Sequence, residues 1–409
     1  MIVEPLIAAV QSGDVGRLHA LLSAGADPDT VDEHGTPALC LAVDAFDLPI
    51  VEVLTASADL DRSGSTGRAP LLRAIELGAQ DIVARLVDDG ADLWATDSDG
   101  LDALALARYW HTMDAAAEVL RRSGRFGPVE RRVVLSGWGT SCQELALGDV
   151  RVRTGHAAIL TALEPRYGVS ASFDELLSRA LAEPDVDHEV WSATTYGLQQ
   201  RHDPAVWAAA AGLRDSPNPL ERLFGAEVIR LTNLFDESDG RPFDRPLVDL
   251  FLPWVAGEPD ARVVRSLTNG LADTADPRTE RPLLELTHHP DRTVRQRAVA
   301  GLHHAIETGK PEILDAVMER TRDEDAAVRR TACIFLAAAP RHIKGPSASL
   351  ASCLTDPDEG VRVEAAARLA LRDDPRGDDV LLSLDAADED SPYHWLLEEV
   401  SCHRYRQGR

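Results

Sequence analysis

A chain of 409 residues is too long for one compact core and predicts two to three domains. Apolar residues make up 44% of it and aromatics only 5%, and the dominance of alanine and leucine predicts closely packed helices. The formal charge of −26 disfavours nucleic acid, anionic membranes and acidic proteins as partners.

The chain opens with "MIVEPLIAAVQSGD", which has neither a basic region nor a long apolar run, so no signal peptide is expected. No later stretch approaches the roughly 18–20 apolar residues that span a bilayer. Residues 4–124 then repeat. "GADPD" at Gly25, "SADLD" at Ser57 and "GADLW" at Gly90 follow Leu22, Leu54 and Val87 at a fixed step, and Gly35, Gly67 and Gly100 keep the same step. Each unit reads as helix, short turn, helix, a Gly-Ala-Asp hook and an extended loop ending in glycine, where a positive φ suits the reversal.

These hooks and second helices resemble the ankyrin repeat, with about four units across residues 4–124. The helix starts "PLIAA", "ALCLA" and "PLLRA" depart from the family's Thr-Pro-Leu-His pattern by lacking the histidine. The resemblance implies a stacked helical array whose fingertip loops bind proteins. It puts Trp94, Asp97 and Asp99 just past the third hook, among the acidic loop residues Asp29, Asp32, Glu33 and Asp61. An aromatic there either packs on the next unit or anchors a partner.

Residues 125–156 break the repeat. Glycine, proline and β-branched alternation in "RRVVLSGW" and "DVRVRTGH" predict a connector with room for a short hairpin. The stretch is locally basic, and Arg131 and Arg132 are candidate partner contacts. "LSGWGTSC" lacks the G-x-S-x-G order of a nucleophile elbow, and no catalytic residue is assigned.

From residue 157 to 409 the text is paired helices, with second helices predicted to begin near Asp187, Pro219, Ala261, Arg292, Ala326, Glu359 and Pro392. "HPDRTVRQRAVAGL", "DEDAAVRRTACIFL" and "DPDEGVRVEAAARL" are near-copies: an acidic turn that caps the helix, then an apolar stripe of valine and alanine. This array resembles HEAT repeats, particularly the short bacterial kind also seen in phycobilisome lyases. The resemblance implies that Asp323/Arg329 and Asp356/Arg362 form a structural ladder between repeats. Arg297 and Arg330 fall off that register and are candidates for a solvent-facing binding patch.

The expected fold is therefore all-α: tandem α-solenoids, ankyrin (4–124) then HEAT-like (157–409), joined by the 125–156 connector. Five scattered cysteines without a C-x-x-C pair predict neither disulfides nor zinc, and fit a reducing cytoplasm. The paired histidines at His288–His289 and His303–His304 lack the glutamates of the HEAT-type deoxyhypusine hydroxylases, so no metal or cofactor is expected. The favoured function is a non-catalytic scaffold whose concave surfaces bind a protein with basic patches. Two alternatives stand beside it. One is a HEAT-like nucleic-acid binder or alkylpurine DNA glycosylase, with Trp191, Trp207, Trp254 and Asp260 as candidate groove residues. The other is an accessory that presents a peptide or tetrapyrrole to a modifying enzyme.

Overall fold

The computed structural model describes residues 4–64, 67–137, 139–238, 240–384 and 391–407. The fold is a pair of all-α repeat arrays with one small sheet, and the chain divides into two compact units, Met1–His202 and Asp203–Arg409.

The first unit begins with four antiparallel helix pairs: Pro5–Ser12 with Val15–Ser23, Ala38–Ala45 with Leu48–Thr55, Pro70–Glu76 with Gln80–Asp88, and Ala103–His111 with Ala115–Ser123. Their starts are written in the sequence. Proline near the N-terminus of three of these helices presets φ, and the Asp14, Asp47, Asp102 and Asp114 carboxylates accept the first free amides. The hooks also join the repeats. Asp29 Oδ1 accepts the Asp59 amide and Asp61 Oδ1 accepts the Asp92 amide, each at 2.9 Å. Loop acids that look free in the sequence are thus partly consumed in stacking the array.

The segment 130–153 folds as three strands, β1 (Glu130–Leu135), β2 (Ser141–Leu147) and β3 (Val150–Arg153), in an antiparallel sheet of order β1-β2-β3. This sheet is built into the first unit: Leu145 and Val152 share one core with Leu72, Ile82 and Trp110 of the ankyrin helices and with Ile159 and Leu160 of the helix His156–Leu163. The outer edge of β3 meets the third repeat, where the Arg153 amide donates to Leu77 O at 2.7 Å. Glycine makes that approach possible. A Cβ on Gly78 would lie 2.1 Å from Arg153 O, and one on Gly155 would lie 2.1 Å from a carboxylate oxygen of Glu189. The helices Phe173–Leu181 and Glu189–Gln199 complete the unit.

The second unit is a run of paired helices whose second members, Pro219–Leu234, Ala261–Ala272, Arg292–Gly301, Ala326–Leu336, Glu359–Leu371 and His394–Arg406, stack side by side. The stripe valines Val263, Val294, Val328 and Val361 are fully buried between them. Asn218, Asp260, Asp291, Asp325 and Asp358 cap the first five.

The ladder joins neighbouring repeats, with each rung crossing from one repeat to the acid of the next. Arg329 donates to both carboxylate oxygens of Asp356 in the next repeat at 2.8 Å, and to the carbonyls of Asp323 and Glu324 in its own turn. Arg295 does the same toward Asp323, and Arg222 toward Glu258. Where His289 stands in place of the first acid, Arg265 reaches the capping Asp291 instead. Arg362 keeps the carbonyl half of the pattern, donating to Asp356 O and Pro357 O.

Candidate interaction surfaces

Two fingertip loops of the ankyrin array, those ending at Gly35 and Gly100, are each fixed by one aspartate. Asp32 Oδ1 accepts the amides of His34 and Thr36, and Asp97 Oδ1 accepts those of Asp99 and Leu101, which holds the tips closed around Gly35 and Gly100. Asp97 is buried and also faces the Arg68 guanidinium at 3.2 Å. Burial opposes its ionisation, but the two amides and Arg68 together hold its carboxyl below the usual range. Asp97 therefore shapes the tip from inside, while Asp99 lies exposed at its surface.

Trp94 extends this row. Its backbone amide donates to Asp92 Oδ1 at 2.9 Å, and its ring sits 4.4 Å, centroid to centroid, from Tyr167. Tyr167 is fixed in turn by donating its hydroxyl to Leu93 O. Trp94 thus packs on a following element, the first of the two sequence alternatives, and still leaves 64% of its surface open. Asp61, Asp92 and Asp99 lie exposed on the same row of tips.

Arg131 and Arg132 lie on β1. Arg131 is exposed and donates to neutral Gln143 at 3.3 Å, while Arg132 reaches buried Glu144 at 2.9 Å with 70% of its side chain open. Val133 and Leu135 beside them are also exposed.

Arg297 and Arg330 lie on the stacked second helices, where they bridge repeats. Arg297 donates to Asn269 and Asp273 of the preceding helix, and Arg330 to Glu364 of the following one, which Arg368 also holds. Arg297 is partly buried and Arg330 exposed, and each guanidinium is paired with a carboxylate of a neighbouring repeat. The sequence shows an arginine off the ladder register but not the acid one repeat away. The four groove candidates have structural settings. Trp191 and Trp254 are buried with their indole N–H groups on Glu183 O and Glu258, Trp207 stacks on Phe243, and Asp260 caps a helix and pairs with Arg262.

A buried ionisable cluster escaped sequence reasoning. Arg153 faces Asp81 at 3.4 Å, and Glu189 lies beside them with its Oε1 unbonded among the described residues. Burial, reinforced by Asp81 and opposed by Arg153, pushes the Glu189 carboxyl up to about 8. Cys142, nearby, is pushed up to about 12, chiefly by burial. Among the described residues, no three or more His, Cys, Asp or Glu side chains are arranged to hold a metal ion.

Comparison with known proteins agrees with both arrays. Residues 6–97 match the ankyrin-repeat family model in three copies, and residues 280–349 match the HEAT-repeat model. The chain is 33% identical over 105 residues to neurogenic locus notch homolog protein 1 of Xenopus tropicalis, and equally to that of Xenopus laevis. That alignment covers 25% of this chain and 4% of each relative.

Proposed function

We propose that this tandem ankyrin–HEAT chain is a non-catalytic scaffold in the cytoplasm, and that its ankyrin fingertips hold a protein partner with a basic patch. Repeat arrays of both kinds support protein interaction in general. The observation that carries the finer reading is Trp94: a large aromatic, seated on Tyr167 and left open amid Asp61, Asp92 and Asp99. A pre-set aromatic loses little side-chain freedom on binding and supplies apolar area, while the surrounding acids attract a basic surface from a distance. No helix among the described residues is long and apolar enough to cross a membrane, and all five cysteines are free, which supports a reducing compartment.

The test compares wild type with Trp94→Ala. Partners captured from native extract and identified by mass spectrometry are titrated against both purified chains. The variant is expected to bind at least about thirtyfold more weakly, as for a central aromatic anchor. Its melting temperature should fall only slightly, because the ring is mostly exposed. An unchanged affinity would remove Trp94 from the interface.

The nucleic-acid reading predicts the opposite charge preference. The acids of the ankyrin loops and the carboxylate-bound Arg297 and Arg330 both disfavour a polyanion. Gel-shift titration against undamaged and alkylated duplexes at near-physiological salt is expected to show no complex. Micromolar binding that weakens steeply with salt would replace the scaffold reading with a HEAT-like nucleic-acid protein.

A further inference from the structure

The sheet in the first unit has one closed edge and one open one. On the closed side, β3 is met by Leu77 O. On the open side lies β1, and its bonding pattern follows from the turn. The Ser136 amide donates to Thr140 O at 2.8 Å, so in an antiparallel ladder Val134, Arg132 and Glu130 exchange bonds with β2. The backbone groups of Arg131, Val133 and Leu135 then point outward. β2 confirms the parity from its other side, because Gln143 O takes the Thr154 amide and so serves β3. Among the described residues, those outward groups of β1 have no backbone partner.

An edge that merely guards against aggregation is short, charged throughout or interrupted by proline. This one is charged only in its first half. Val133 and Leu135 are 65% and 73% exposed, and both share their face with Arg131. Arg131 has no carboxylate partner among the described residues, and Arg132 holds Glu144 with most of its side chain still open. The edge therefore offers three things in register: unpaired backbone groups, two apolar side chains and two arginines in a chain of net charge −26.

We propose that the open edge of β1 docks an extended segment of a protein partner, which adds to the sheet as a fourth strand and carries two acids followed or preceded by alternating apolar residues. An antiparallel strand would place apolar residues opposite Leu135 and Val133 and acids opposite Arg132 and Arg131. A second copy of the chain fits less well. Antiparallel pairing of β1 with itself about Val133 sets Arg131 against Leu135 and brings the two copies of Arg132 onto one diagonal. The inference deepens the scaffold reading and rests on it, but the two fail separately: Trp94-dependent capture does not need this edge, and peptide binding here does not need Trp94.

The probe is the blocked peptide acetyl-Val-Thr-Val-Glu-Glu-Thr-amide, titrated into the full chain by fluorescence anisotropy with a dye at its C-terminus. We expect saturable binding and slowed amide exchange in residues 130–135. N-methylation of the peptide at its third and fifth residues, whose amides face β1, is expected to abolish binding. Methylation at the second and fourth residues should be tolerated. Replacing both glutamates with lysine should weaken binding at least about tenfold, and Arg131→Glu should reverse that preference. Three results would overturn the proposal: equal binding of both methylated peptides, no response to charge reversal, or a chain that dimerises through β1 by light scattering and loses the dimer in Arg131→Glu. If Arg131→Glu fails to fold, the methylated peptides on wild type decide alone.

Discussion

Replacing Arg295 with alanine is expected to destabilise the HEAT array by about 3 kcal/mol, the scale for removing one member of a buried ion pair. Arg295 and Asp323 leave only 6% and 2% of their side chains exposed. The guanidinium makes two bonds to that carboxylate and two more to the carbonyls of His289 and Pro290. Its loss leaves Asp323 with Arg320 at 3.3 Å as its remaining guanidinium and opens one seam between repeats. Because each repeat contacts only its neighbours, the cost should appear as a less cooperative transition of the second unit as well as a lower midpoint in denaturant. A double-mutant cycle with Asp323→Asn isolates the pair: the double variant should lose less than the sum of the singles. A single variant that unfolds like wild type would show that the rung is ornamental.

The same rung sets an acid limit. Burial by itself would raise the Asp323 carboxyl, but the Arg295 bonds outweigh it and hold it below its ordinary value. Its contribution is therefore complete above the unfolded carboxylate range near pH 4 and is lost as pH falls through the lower folded value. Asp291 and Asp356 are shifted in the same direction by Arg265 and Arg329. Acid unfolding of the second unit should then be steep, because several rungs protonate together. Arg295→Ala should unfold at higher pH than wild type.

Periodicity carried most of the architecture because helices, caps and stripes are local. Five of the predicted second-helix starts, Pro219, Ala261, Arg292, Ala326 and Glu359, coincide with the observed ones. At Asp187 and Pro392 the helices start two residues later, behind His188, whose ring accepts an amide, and Tyr393, whose side chain makes no cap bond. The partners were less legible, because they depend on which repeat stacks on which. The spacing of Asp323 and Arg329 showed that they recur, but not that Arg329 crosses to Asp356. It showed Arg297 and Arg330 off the ladder, but not the acids that hold them. Asp97 looked like surface charge because its loop is polar, and only the closed tip shows the side chain turned inward. The strand β1 has a sequence signal, the β-branched run in "RRVVL", but whether a strand is internal or terminal in its sheet is a tertiary fact.

The burial of Glu189 had no sequence signal, and it supplies the other large effect. It is 2% exposed, at the first position of a helix, against Gly155 and beside the Asp81–Arg153 pair. Burial pushes its carboxyl up to about 8, from an ordinary value of about 4.5. Between those values the folded state holds a proton that the unfolded chain has released, so stability falls as pH rises across this window and the full cost is present above it. Glu189→Gln keeps the shape and removes the charge. The variant should differ from wild type by less than about 1 kcal/mol near pH 5 and exceed it by about 2–4 kcal/mol at pH 9, less than the full shift implies because water can enter around an ionised group. Comparing the two chains is essential, because His156 works in the opposite sense. Buried and stacked on Trp110, it is pushed down to about 4, so its contribution grows as pH rises toward 6.5 and masks part of the glutamate's loss in wild type alone. The difference between variant and wild type cancels His156 and leaves Glu189. Amide exchange in the strand Ser141–Leu147 and the helix Glu189–Gln199 gives the local readout: both should open faster in wild type than in Glu189→Gln at pH 9, after correction for intrinsic rates, and nearly alike at pH 5. Parallel pH profiles for the two chains would mean that Glu189 is already ionised in the folded state, stabilised by Arg153.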